Sequence, residues 1–163
     1  MILSSNILSL LTAQYSHETA NGIFYTALQS WADRRGLTGT ASFFRKQAEG
    51  ERVHADKILE YIHNRNDQLT VIAVPLQAVE PTSFENLFTL AIERERLTSE
   101  MILAIKSQAE SIGDHATCQW LLDPEGLVKE QVEEENILQT IIDRMNIDPT
   151  AGPHLLDVWI GGL

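Results

Sequence analysis

The feature that most constrains this chain is a polar interruption recurring in the middle of four long amphipathic stretches. It is Glu18 in the first, Glu51 with His54 in the second, Glu95 in the third, and Gln131 with Glu134 in the fourth. Apolar residues spaced three and four apart place each interruption on the stripe a helix turns toward its neighbours. A carboxylate on that stripe must be paired, protonated or coordinated, because burying it alone is costly. Four such helices predict an all-α bundle with a polar centre, and a metal cage satisfies all four at once.

The spacing predicts a first helix from Ser4 or Ser5 to Gly36, with a seam of Leu8, Leu11, Tyr15, Glu18, Gly22, Tyr25, Gln29 and Ala32. A second helix is expected after Gly39, running to about Arg65 through Phe44, Gln47, Glu51, His54, Ile58 and Tyr61. From Asn64 to Pro81 the pattern fails: Val71 to Val74 is apolar and β-branched, and Pro75 and Pro81 interrupt it. So long a connection joins parallel helices, whereas the short link between Gly36 and Thr40 joins antiparallel ones. The third helix is expected to open at Thr82-Ser83-Phe84-Glu85, a capping box with Thr82 as the cap, and to reach about Ser111 along Phe84, Phe88, Ala91, Glu95, Thr98, Ile102 and Ile105. A fourth begins at Asp114, and Asp123-Pro124-Glu125-Gly126 predicts a break within it. The seam resumes as Leu127, Gln131, Glu134, Leu138, Ile141 and Met145, ending before Asp148-Pro149, and Pro153 to Ile160 forms a short fifth helix. Residues 1–163 read as one domain.

Composition narrows the function. A chain of 163 residues, 44% hydrophobic, supports a full core. A net charge of -11 argues against a nucleic-acid partner, since phosphate binding depends on Lys and Arg, and it suits cations. The single Cys118 excludes an intramolecular disulfide and an all-cysteine zinc or rubredoxin-like site. No apolar run approaches a membrane span, and the apolar N-terminus lacks a basic flank and a cleavage site, so a cytoplasmic protein without membrane association is expected.

Glu51 and His54 form a Glu-x-x-His pair on one helical face. In a bundle, single Glu residues and such pairs supply the bridging oxygens and neutral nitrogen that a dinuclear site requires. Glu18, Glu51, Glu95 and Glu134 carry four negative charges, enough to balance two divalent ions, and the lack of thiolates favours Fe(II) or Mn(II) over structural zinc. Taken singly, Glu-x-x-His is commonly a solvated pair, and Glu95 between Arg94 and Arg96 reads as an ordinary ion pair. That reading does not explain why every interruption falls in mid-seam.

These residues, in this order, resemble the non-haem bacterial ferritins, and the likeness runs from Leu8 to the tail helix. It is carried by Glu18 through Tyr25 to Trp31, by Phe44-Arg45-Lys46-Gln47-Ala48 leading to Glu51 and His54, by Leu87-Phe88 leading to Glu95, and by Glu130 to Glu135 running into Ile141-Ile142-Asp143. The resemblance implies a ferritin-like four-helix bundle with a long crossover between the second and third helices and a short C-terminal fifth helix. It also implies a homo-oligomeric, hollow 24-subunit shell that stores ferric mineral. It implies ferroxidase activity, with Fe(II) oxidised by dioxygen or hydrogen peroxide at a dinuclear iron centre within each subunit. Glu18 and His54 would hold one iron, Glu51 would bridge, Glu95 and Glu134 would hold the second, Gln131 would hydrogen-bond beside them, and Tyr25 would be the adjacent tyrosine. Such a tyrosine either supplies an electron or fills the core with a tethered hydroxyl.

Two departures stand out. Gly50 stands where related proteins often carry a carboxylate that helps bind a third iron, leaving Glu130 and Glu133, the other candidates for that site, without a partner. The segment ahead of Gln131 is about three residues longer than the family pattern, with the excess around Asp123 to Gly126, so a bulge or break must absorb it. No haem is expected: Arg52 follows the bridging Glu where haem-bearing bacterioferritins have Met, and Ile137 stands where they offer His. The alternatives are a miniature ferritin, another di-iron oxidase or peroxidase in a smaller assembly, and a non-enzymatic helical interaction module.

Overall fold

The computed structural model describes residues 2–70, 74, 78–148 and 150–163, and every regular element among them is a helix. They are α1 (Ser5–Asp33), α2 (Thr38–Asn64), α3 (Phe84–Ser111), α4 (His115–Leu122), α5 (Leu127–Ile147) and α6 (Pro153–Ile160). Helices α4 and α5 together form the fourth member of a four-helix bundle, and α6 is the short fifth helix.

Cross-helix pairs fix the directions. Along α1, Asn21 meets Thr98 while Trp31 donates its indole N–H to the Pro81 carbonyl at 2.7 Å, so α3 runs antiparallel to α1. The hairpin at Gly36 makes α2 antiparallel to α1 as well, with Gly22 facing Ala48 and Glu51. Therefore α2 and α3 are parallel and need the long crossover of residues 65–83. Val71–Ala73 and Pro75, singled out as breaking the pattern, lie outside the described residues.

The interior is divided. At one end, Leu28, Phe43, Phe44, Phe84, Leu87, Phe88, Leu138 and Ile141 pack as one apolar cluster that also receives Leu156 and Ile160 from α6. At the other, Ile7, Leu11, Ile58, Ile62, Ile102, Ile105, Leu121 and Leu127 form a second. Each buried Leu, Ile or Phe contributes roughly 1.5–3 kcal/mol. Every polar interruption lies on its helix between a residue of one cluster and a residue of the other, as Glu18 lies between Leu11 and Leu28. The apolar ends thus hold a polar belt together.

Helix α1 departs from the expected seam. Leu11, Glu18, Tyr25 and Ala32 are buried, but the alternate row is Ile7, Gln14, Asn21 and Leu28 rather than Leu8, Tyr15, Gly22 and Gln29. The two rows share every second member and differ in which neighbour they favour: the Asn21 side faces α3, and the Gly22 side faces α2.

The start of α2 also differs. It begins at Thr38, with Gly39 inside it, because the amides of Gly39 and Thr40, which have no acceptor within the first turn, donate to the Asp157 carboxylate of α6 at 3.1 and 2.7 Å. This cap comes from the far end of the chain, and a carboxylate at a helix N-terminus is electrostatically favoured. Gly39 is required there, since a Cβ would sit 2.0 Å from the Asp157 carbonyl oxygen. Gly39→Ala is expected to cost about 3 kcal/mol, read by urea unfolding. Parental stability in that variant would mean that α6 slides freely.

The cap of α3 is Ser83, one residue later than expected, accepting from the Asn86 amide at 3.1 Å. The reciprocal bond comes from Asn86, whose side-chain oxygen accepts from the Thr82 amide at 3.0 Å, and Glu85 stays exposed. The expected break falls at residues 123–126. Asp123 accepts from the Glu125 amide, the Gly126 amide returns to the Asp123 carbonyl at 2.7 Å, and α5 restarts. The Leu121 and Trp120 carbonyls, freed by the break, crowd Gly126 so closely that a Cβ would meet them at 2.6 and 2.8 Å.

Candidate metal centre

Three ligand-type side chains meet in the polar belt: Glu18 from α1 with Glu51 and His54 from α2, all buried, offer donor atoms within 4.8 Å of one another. His54 Nδ1 lies 3.5 Å from Glu51 Oε2 and 3.9 Å from Glu18 Oε2. Glu18 Oε1 accepts from the Gln14 amide at 2.6 Å. Opposite, the fully buried Glu95 of α3 accepts from the Tyr25 hydroxyl through Oε1 and from Gln131 Nε2 at 2.5 Å through Oε2. Glu134 enters from α5, with Oε1 3.9 Å from His54 Nε2.

The unsatisfied atoms point to what the site lacks. Among the described residues, the buried side-chain oxygens without a hydrogen-bond partner include Glu18 Oε2, Glu51 Oε2, Glu130 Oε2 and Glu134 Oε2. Native structures leave few such atoms, and here those of Glu18, Glu51 and Glu130 lie 3.9, 3.5 and 3.4 Å from one imidazole. Hard carboxylate oxygens with one nitrogen fit divalent iron or manganese.

The electrostatics agree. Burial, followed by the neighbouring Glu51, pushes the Glu18 carboxyl well above the usual range. Burial does the same to Glu51, reinforced by Glu95 and Glu134. Glu95 is raised by burial despite its bonds from Tyr25 and Gln131. Glu134 is pushed up to about 8 by burial and then by the charge of Glu95. Tyr25 is raised by burial and by Glu95, so its hydroxyl keeps its proton and remains a donor. Divalent cations in place of the shared protons would relieve this crowding.

The two remaining expected residues diverge. Glu130 stands beside the centre, with Oε2 3.4 Å from His54 Nε2, but its Oε1 is held by Lys57 at 2.6 Å. Glu133 points outward and pairs with Lys129 at 3.5 Å, with both side chains 61% exposed. Around Gly50 there is open space.

A family profile described as a ferritin-like domain matches residues 8–147. The chain belongs to the ferritin family. Its relatives include a protein described as a bacterial non-haem ferritin from Staphylococcus saprophyticus, 30% identical over 89% of this chain and 85% of that one. Another is a probable bacterial non-haem ferritin-like protein from Haemophilus influenzae, 27% identical over 99% and 98%. Among solved structures, the open-pore ferritin of the hyperthermophilic archaeon Archaeoglobus fulgidus superposes with a TM-score of 0.90 at 25% identity, covering 98% of this chain and 96% of that one.

Within this ferritin-family bundle, sequence reasoning missed a second polar layer. Thr98 accepts from Asn21 Nδ2 at 3.2 Å and directs its own proton to the Arg94 carbonyl, so His17 Nε2, 2.9 Å away, is the donor to it. Burial and then Arg94 hold His17 down to about 4, which keeps it neutral. Arg94 Nε in turn donates to Asn21 Oδ1 at 2.5 Å, placing a fixed positive charge behind the carboxylates. The signal was the polar row Gln14, His17 and Asn21 at helical spacing beside Glu18.

Proposed function

We propose that this protein stores and detoxifies iron, oxidising Fe(II) at a dinuclear ferroxidase centre within each subunit and keeping the ferric product inside a homo-oligomeric shell of 24 subunits. The observation that carries the reading is the pair of unpartnered carboxylate oxygens of Glu18 and Glu51 facing His54, with the Glu134 carboxyl beside the same ring. Membership of the ferritin family and the named ferritin relatives support iron as the substrate.

In this reading Glu18 and His54 Nδ1 bind one Fe(II), Glu51 bridges, and Glu95 with Glu134 binds the second. Gln131 and Tyr25 fix Glu95 by donating to its two oxygens. Carboxylates favour Fe(III) over Fe(II), so the ligand set drives electron loss. Two Fe(II) ions deliver two electrons and two protons are consumed, converting dioxygen to hydrogen peroxide or hydrogen peroxide to two waters. The unequal halves, one with a nitrogen ligand and one all oxygen, are expected to bind the two ions with different affinities.

Aerobic addition of Fe(II) to the metal-free protein is expected to give rapid growth of near-ultraviolet ferric absorbance, and size-exclusion chromatography a particle of hundreds of kilodaltons. Oxidation no faster than in buffer would overturn the ferroxidase reading. A particle the size of a monomer or dimer would overturn the shell.

A further inference from the structure

His54 has carboxylates on both ring nitrogens, and they differ in burial: Glu18 and Glu51 are enclosed, whereas Glu130 and Glu134 are partly exposed. Nδ1 faces Glu18 and Glu51 at 3.9 and 3.5 Å. Nε2 faces Glu130 Oε2 at 3.4 Å and Glu134 Oε1 at 3.9 Å. An imidazole that binds metal through one nitrogen carries a hydrogen on the other, and a carboxylate that accepts it fixes the ring. Glu130 Oε2 is buried and unpartnered, as the acceptor of such a hydrogen would be before a metal tightens the site.

The other oxygen of Glu130 is already committed. Lys57 Nζ holds Oε1 at 2.6 Å and bonds the Glu125 carbonyl at 3.1 Å. Lys57 lies three residues after His54 on the same helix, so α2 supplies both the imidazole and the cation that anchors its carboxylate. The Glu125 carbonyl belongs to the break between α4 and α5, which gives that inserted segment a contact with the centre. A metal ion at Glu130 would have to displace an ammonium, and no carboxylate comes from Gly50 or from the outward Glu133 to compensate.

We propose that Glu130 is a positioning residue that orients His54 through Nε2, and that Lys57 is the tethered cation that fixes Glu130, in place of a third metal ion. This rests on the two-ion centre proposed above. Lys57 and Glu130 are each 30% exposed, so their pairing adds little to stability and can be removed without unfolding the chain.

The test is an anaerobic Co(II) titration of the full-length, metal-free protein, following stoichiometry and affinity by calorimetry and the visible cobalt bands by absorption. The parent is expected to bind two ions per subunit. Lys57→Met and Glu130→Gln are each expected to keep two ions but to weaken the nitrogen-containing site by about tenfold and alter its visible bands, with Lys57→Arg restoring both. Loss of one whole ion in Glu130→Gln would make Glu130 a ligand and overturn the proposal. A third ion bound by the parent would overturn it, as would unchanged affinity and spectrum in Lys57→Met. A parent that binds no Co(II) would instead overturn the two-ion centre itself.

Discussion

Replacing Glu51 and His54 together with alanine is expected to abolish the fast phase of Fe(II) oxidation, lowering the initial rate by at least about a hundredfold. Changing an outer partner of a metal ligand already costs about 10–100-fold, and this variant removes the proposed bridge together with the nitrogen donor of the cluster. The fold should survive, because neither residue belongs to the apolar clusters at the two ends of the bundle. Removing Glu51 also deletes a buried carboxyl that burial and its neighbours hold in an unfavourable state. Circular dichroism and size-exclusion chromatography matching the parent, with oxidation no faster than in buffer, is the expected pair of results. Oxidation at the parental rate in a folded variant would rule out the dinuclear centre. The isosteric Glu51→Gln separates geometry from charge: it keeps the shape of the side chain and is expected to lose most of the rate.

The reach of the sequence in this protein follows the range of the interactions involved. The seam residues Glu18, Glu51, Glu95 and Gln131 were legible because a buried polar group interrupts a local apolar period, and each lies in the belt between the two clusters. The break at Asp123 to Gly126 was legible for the same reason, since proline and glycine act on their own backbone. The start of α2 was not, because its cap is Asp157, supplied by α6. The row containing Gln14 and Asn21 was also missed, since two rows at helical spacing share Leu11, Glu18 and Tyr25 and only the docking of α3 selects between them. Lys57 left a trace, as it falls one turn beyond His54 on the ligand face, but its partners Glu125 and Glu130 are brought there by the tertiary fold.

The metal-free protein is expected to lose stability as the pH rises from about 6.5 to 8, the reverse of ordinary acid denaturation. The carboxyls of Glu18, Glu51 and Glu95 are raised in the folded state, and Glu134 is raised from 4.5 to about 8. A group raised on folding holds its proton more tightly in the folded state than in the unfolded one. Its contribution is therefore complete below the unfolded value and disappears as the pH climbs through the folded value. Two groups act in the opposite sense: Arg65 and Thr117 hold the Asp114 carboxyl below its usual 3.8, so its contribution is lost only at more acidic pH, and His17, held down to about 4 by burial and Arg94, opposes the carboxyls until the pH reaches its ordinary 6.5. Above about 6.5 only the raised carboxyls still titrate, and there the metal-free stability should fall. Divalent ions compete with protons for the same oxygens, so their stabilisation grows over the range in which the metal-free protein weakens. At pH 8, Zn(II) at about a hundred times its dissociation constant is expected to raise the melting temperature by about 10 °C. The rise should shrink toward pH 5, and a chelator should reverse it. A metal-free protein whose melting temperature stays flat or climbs between pH 6.5 and 8 would show that these carboxyls do not share the crowded site, and the charge balance proposed for two ions would fail with it.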